Sequence, residues 1–138
     1  MSTRCMIGKL YENGTVRAVY CHHDGYPSYV GDKLFNHYQD DKKIEKLLAL
    51  GNMSSLGNIP EHREWENSES GQTYCDAYLS EDEKADDFAS EQDYLDVFRH
   101  SDRAYLYLWK PSKVSQGRGE WYITTDEWKF DNLSKYIR

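Results

Sequence analysis

The chain has 138 residues, a formal net charge of −7 and an aromatic complement of 12 Tyr, 4 Trp and 4 Phe, so it is expected to fold as a single domain over residues 1–138 around an aromatic core. No apolar run of about 18 residues occurs, which excludes a transmembrane helix and membrane partners, and the opening MSTRCMIGKL lacks the apolar core of a signal peptide. The expected location is therefore the cytoplasm, where Cys5, Cys21 and Cys75 would stay reduced.

Charge is unevenly distributed. From Glu61 to Asp93 there are 12 acids against Arg63 and Lys84, a balance of −10, while the remainder of the chain carries +3. Lys42, Lys43 and Lys46 make the one basic cluster, at the spacing of a solvated helix face. With no dense basic patch, nucleic acid is not an expected partner.

In chain order, CMIGKLYE and TVRAVYCH flank Asn13-Gly14, the strongest short-range signal for a hairpin over residues 5–22. If those two residues are the whole loop, Tyr11 faces Val16, Ile7 faces Tyr20 and Cys5 faces His22. Cys5 and Cys21 then point to opposite faces. Both faces are apolar, so the hairpin should belong to a larger sheet. Gly25 and Pro27 end the second strand. A helix from about Ser28 would bury Val30, Leu34, Phe35 and Tyr38. Asp40 or Asp41 can cap a second helix carrying Ile44, Leu47 and Leu48, ended by Gly51.

Residues 51–60 are expected to form a loop. The acidic stretch 61–90, with Trp65, Tyr74, Tyr78 and Phe88 as anchors, should cross as a loop with a short strand at TYCDAY. Ser90 can cap a helix over 91–99. AYLYLWK (104–110) and EWYITT (120–125) predict an antiparallel pair joined by a Pro- and Gly-containing loop, and 131–137 a short final helix. The expected fold class is α+β, a mainly antiparallel sheet packed with several short helices.

The stretch YCHHDGYP, residues 20–27, concentrates the chemistry. Along a strand, Cys21 and His23 share a face and His22 takes the other. Cys21 with His23 offers a metal two ligands, and Asp24 adds a third only if the chain turns. Zinc wants four, or three and water. Further ligands would have to come from His37, His62, Cys75 or His100, none at a recognised spacing, so no metal and no cofactor are assigned. Cys21 as a nucleophile would need His23 in reach as a base, and i, i+2 neighbours on a strand are about 7 Å apart. No catalytic residue is assigned either.

What remains is a polar aromatic corner of His22, His23, Asp24, Gly25 and Tyr26, suited to binding a ligand or partner. Gly25 would let backbone approach closely, and a following helix start would offer N–H groups to an anion. The bland alternative is a structural turn, with Asp24 and Gly25 making the bend.

MSTRCMIGKLYENGTVRAVYCHHDGYPSYVGDKLFNHY, followed by KIEKLLALGNMSSLG, resembles a family of small proteins common in bacteriophage and prophage genomes. The likeness lies in the Met-Ser-Thr-Arg opening, the short hairpin, the Tyr-Cys-His-any-Asp-Gly-Tyr stretch, a Val-Gly, and a Leu-rich helix leading to a Ser-Ser-Leu-Gly loop. It covers residues 1–57, with looser echoes at 94–96, 104–108 and 120–122, while 61–90 departs from it. The resemblance implies a setting rather than a mechanism. It points to a phage accessory protein in the bacterial host's cytoplasm, without enzymatic activity, that binds a host defence protein or sequesters a small anionic or nucleotide ligand. Two other functions fit parts of the chain: a small hydrolase acting through His22-His23-Asp24, and a nucleic-acid mimic built from the acids of 61–93.

Overall fold

In a computed structural model of the chain, residues 3–63, 73–124 and 129–137 are described. Their fold is α+β. The strands are β1 (Cys5–Leu10), β2 (Val16–Cys21), β3 (Met53–Ser55), β4 (Asp76–Ala77), β5 (Asp86–Phe88), β6 (Tyr105–Pro111), β7 (Gly119–Thr124) and β8 (Asp131–Asn132). They form one mixed, mostly antiparallel sheet in the order β4-β3-β2-β1-β6-β7-β8, with β5 also on β2. The hairpins β1–β2 and β6–β7 are antiparallel, and β1 joins them by pairing parallel to β6, Cys5 opposite Tyr105 through Lys9 opposite Trp109. The outer edge of β2 is shared. β5 takes its start, Val16–Ala18, and β3 its end, at Cys21.

The first hairpin forms where Asn13-Gly14 predicts it, but its register differs by one residue. Cys5 pairs with Cys21, Ile7 with Val19 and Leu10 with Val16. The backbone N–H of Tyr11 donates to the Thr15 carbonyl at 2.8 Å, so Glu12, Asn13 and Gly14 together make the connection. Gly14 alone takes the left-handed conformation (φ 89°). Asn13 contributes its side chain instead, its Oδ1 accepting from the N–H and the hydroxyl of Thr15 at 3.1 and 2.7 Å. This is a three-residue loop closed by a glycine bulge, the next commonest hairpin connection. Nothing lies within 4 Å of a Cβ built on Gly14, so only the backbone resists a side chain there. Gly14→Val is expected to destabilise by about 1–2 kcal/mol, since a β-branched residue resists positive φ; an unchanged urea midpoint would contradict this.

A slip of one residue moves every side chain to the other face. Cys5, Ile7, Val19 and Cys21 lie on one face of the sheet, and Met6, Val16 and Ala18 on the other. The expected separation of Cys5 and Cys21 is therefore corrected: the two free, buried thiols sit directly opposite each other. Burial first, and then the neighbouring Cys21, pushes the Cys5 thiol well above its ordinary range.

Both faces are covered. Pro27–Gly31 winds as a π-helical turn into α1 (Asp32–His37), followed by α2 (Asp41–Leu50), and these bring Val30, Leu34, Tyr38, Ile44, Leu47 and Leu48 onto the Cys5–Ile7 face. Asp40 caps α2 by accepting from the Lys42 N–H at 3.3 Å. On the same face Trp109 and Trp121 pack with ring centroids 5.4 Å apart. Each indole N–H finds an acceptor, Trp109 on Asp41 Oδ1 at 2.6 Å and Trp121 on the Tyr38 carbonyl at 2.7 Å. The opposite face is closed by α3 (Glu91–Leu95) and α4 (Val97–His100), which supply Tyr94, Val97 and Phe98. Ser90 caps α3 as its sequence predicts, accepting from the Asp93 N–H at 3.1 Å.

Three further expectations change. Residues 51–60 are not all loop, since β3 forms there because β2 leaves an edge open at Cys21. The acidic stretch contributes the edge strand β5, held by Arg17 to Asp87 at 2.7 Å. Residues 131–137 begin as β8, with Ile123 opposite Asp131, before a 3₁₀ turn over Leu133–Tyr136 buries Leu133. Trp65 lies outside the described residues, as does the end of the expected EWYITT strand at Thr125.

Candidate functional site at the end of the second strand

β2 stops at Cys21, where the chain turns toward α1. The His22 N–H donates to the Met53 carbonyl and the His23 N–H to the Ser54 carbonyl, at 3.0 and 2.9 Å, so β3 holds the backbone of both. The five residues of the predicted corner then divide into two groups and a spacer.

His22 and His23 form the first group. With the strand ended they do not take opposite faces; their rings meet edge to face, centroids 4.5 Å apart. His22 Nδ1 lies 2.6 Å from the Tyr20 hydroxyl. Loss of hydration, then the neighbouring charges of His23 and Arg4, push the His22 imidazole below its ordinary range, against the opposing pull of Asp102. Asp24 and Tyr26 form the second group. Asp24 takes a left-handed conformation (φ 58°), tolerated by Asp better than by most residues, and accepts from the Tyr26 hydroxyl at 3.2 Å. The Asp24 charge first, then desolvation, raises the Tyr26 phenol.

Gly25 is the spacer, and it is buried. Its N–H donates to the Thr3 carbonyl at 2.8 Å and its carbonyl accepts from the Tyr107 hydroxyl at 2.7 Å. The close approach that a glycine permits is therefore used against β1 and not against a ligand. The expected row of free helix-start N–H groups is also corrected. Tyr29 and Gly31 donate to the Tyr26 carbonyl and Val30 donates to the Asp24 carbonyl, so these groups close the π-helical turn.

Three residues missed by sequence reasoning complete the surface around His22. Continuing the β1–β2 register one step past Cys5 sets Arg4 opposite His22, on the face of Met6 and Tyr20. The Ala104 N–H donates to the Arg4 carbonyl at 2.8 Å, which brings the start of β6 alongside. Arg103 lies over the Tyr20 ring, 4.3 Å from its centroid. Asp102 takes Arg103 on Oδ1 at 2.9 Å and Arg4 on Oδ2. The signal that finds Arg4 is the alternation of the strand, and it points to His22 only in the three-residue-loop register.

Among the described residues no three His, Cys, Asp or Glu side chains are grouped so as to hold a metal ion, and no helix is long and apolar enough to cross a membrane. A cleft of about 690 Å³ lies at the other end of β2, by the hairpin turn, between Tyr11, Arg17, Glu45, Asp87 and Phe88. There Glu45 accepts from Lys9 and Tyr11 at 2.8 and 2.7 Å, so its carboxylate is already committed within the fold.

No protein-family model matches the chain, and neither the curated proteins nor the solved structures give a match.

Proposed function

We propose that this is a non-enzymatic binding protein, a phage accessory protein working in the cytoplasm of a bacterial host, and that the corner at His22–Tyr26 is where it binds. The resemblance of residues 1–57 to phage and prophage proteins supplies the setting. One observation carries the choice of ligand: at the end of β2, two imidazoles stand beside two guanidinium groups on one stretch of surface, in a chain whose net charge is −7. Such a cluster of N–H donors, two of them on permanently charged guanidinium groups, favours a small anionic ligand over a host protein as the first partner to test. His22 and His23 make the contact. Asp24 and Gly25 form the bend that presents them, and Tyr26 braces Asp24.

The test is native mass spectrometry of protein purified from cells, with extraction of any retained small molecule. His22→Ala and His23→Ala are expected to lose the retained anion while keeping the wild-type melting temperature within about 2 °C, as surface substitutions do. Asp24→Ala is expected to melt lower, because alanine lacks the carboxylate that accepts from Tyr26 and tolerates positive φ less well. Affinity should rise on acidification. His22 is held below its ordinary range by loss of hydration and by the charges of His23 and Arg4, so it gains its proton, and its attraction for an anion, only as pH falls below the ordinary imidazole range. The reading fails if both histidine variants retain the ligand, or if they merely unfold.

A further inference from the structure

Asp102 occupies an unusual place in this surface. One of its oxygens takes Arg103 and the other takes Arg4, so a single carboxylate bridges two guanidinium groups. The Asp102 side chain is 55% exposed, against 37% for Arg4 and 29% for Arg103. The anion is thus the most solvent-exposed member of the trio, and the cations are the more buried. Arg103 is fixed over the Tyr20 ring, and its Nε is buried with no hydrogen-bond partner among the described residues. The Arg4 carbonyl accepts from the Ala104 N–H at 2.8 Å, beside the start of β6. The Tyr20 hydroxyl engages His22 Nδ1 and thereby leaves Nε2 as the other ring nitrogen available to a ligand.

We propose that Arg4, Arg103 and His22 form a binding site for a phosphoryl dianion, and that Asp102 is an internal stand-in for that anion which swings out when the ligand arrives. The proposal rests on the reading of the corner as an anion site and names its ligand class and its competitor. A carboxylate offers two oxygens, one to each guanidinium. A phosphoryl group offers three or more with twice the charge, enough to take both guanidinium groups and an imidazole N–H together. Exchange of Asp102 for the ligand breaks two exposed ion pairs, which are individually weak, and makes charge-assisted bonds to preplaced donors. The groups around His22 are Tyr20, His23, Arg4 and Asp102, with Arg103 lying over the Tyr20 ring. Release of Asp102 removes the one carboxylate among them, so the bound dianion replaces its charge in the cluster.

The experiment is isothermal titration in low-salt, phosphate-free buffer with two probes, inorganic phosphate and adenosine 5′-monophosphate. The first carries the phosphoryl group alone and the second carries it on a nucleoside. Wild type is expected to bind both, and equal affinities would assign recognition to the phosphoryl group. Tighter binding of the nucleotide would add a contact from the neighbouring rings to the same site. Asp102→Asn keeps the side-chain shape and removes the competing charge; it should bind both probes roughly three- to tenfold tighter. Arg103→Gln and, at the more exposed position, Arg4→Gln should each weaken binding by about tenfold or more, as loss of a hydrogen bond to a charged group does. The proposal is overturned if Asp102→Asn binds no tighter than wild type, or if both arginine variants bind as wild type does. Loss of binding in His22→Ala with no gain in Asp102→Asn would keep the corner reading and sink the stand-in. Gain in Asp102→Asn with unchanged binding in both histidine variants would keep the arginine site and sink the assignment of the imidazoles.

Discussion

Gly25→Ala is expected to destabilise the protein by about 1–3 kcal/mol, the usual range for overpacking a well-packed site, and to displace the corner. A Cβ at this position would stand 2.8 Å from the Cys5 Cβ and 2.8 Å from the Thr3 carbonyl oxygen. The second of these is backbone and cannot rotate away. The Gly25 N–H donates to that same carbonyl, so relief of the clash must lengthen the hydrogen bond. It must also move the Gly25 carbonyl off the Tyr107 hydroxyl, whose ring is buried between the sheet and the π-helical turn. Because His22, His23 and Asp24 immediately precede it, the variant should show shifted His22 and His23 ring signals in NMR along with a lower denaturation midpoint. Wild-type stability together with wild-type imidazole shifts would show that the packing around Gly25 is looser than described.

Trp121→Ala is expected to cost more, about 3–5 kcal/mol, the range for removing a large buried aromatic side chain. Trp121 is 2% exposed and packs on Trp109. Its indole N–H satisfies the Tyr38 carbonyl at the end of α1. Truncation therefore leaves a cavity, an unpaired buried carbonyl and a loosened helix end at once. The measurement is chemical denaturation of the variant against wild type. A loss below about 1 kcal/mol would mean that the neighbouring side chains collapse into the gap. Trp121→Phe should cost less than Trp121→Ala, since it keeps most of the packing while losing the N–H donor and part of the ring volume.

Much of this architecture is legible in the chain. Helix α2 announces itself by Asp40, the Ile44-Leu47-Leu48 spacing and Gly51, each acting within a few residues of itself. AYLYLWK and EWYITT carry β-branched and aromatic residues at strand density, and they pair. The strands that are not legible are MSS, DDF and DN, none of which has strong strand propensity. MSS and DDF become strands because β2 offers two free edge segments and DN because β7 offers another, a property of the assembled sheet and not of their own residues.

The hairpin shows a subtler failure. Asn-Gly correctly locates the turn, yet the dipeptide fits both a two-residue loop and a three-residue loop ending in glycine. The second wins here because the Asn13 side chain satisfies Thr15. That single residue of difference hides the facing thiols of Cys5 and Cys21, and it hides Arg4 as the neighbour of His22. At the corner, the bend at Asp24 and Gly25 was readable from residue type. Arg103 and Asp102 were not, because they arrive from the segment leading into β6, about 80 residues further along the chain.

That arrival has a kinetic consequence. The central contact of the sheet is the parallel pairing of β1 with β6, and beside it Arg4 and Asp102 meet from positions 98 residues apart in sequence. Closing so long a loop must precede most of the reward for closing it, so folding should be governed by this one encounter and proceed on the slow, millisecond-to-second scale of chains rich in distant contacts. During synthesis the first hairpin leaves the ribosome early with the β6-facing edge of β1 unpaired, and it must wait for most of the remaining chain before that edge is covered. Over that interval the nascent protein presents an apolar strand edge to its surroundings. Substitutions that weaken the β1–β6 seam should accordingly slow folding more than they speed unfolding, lowering stability and soluble yield together.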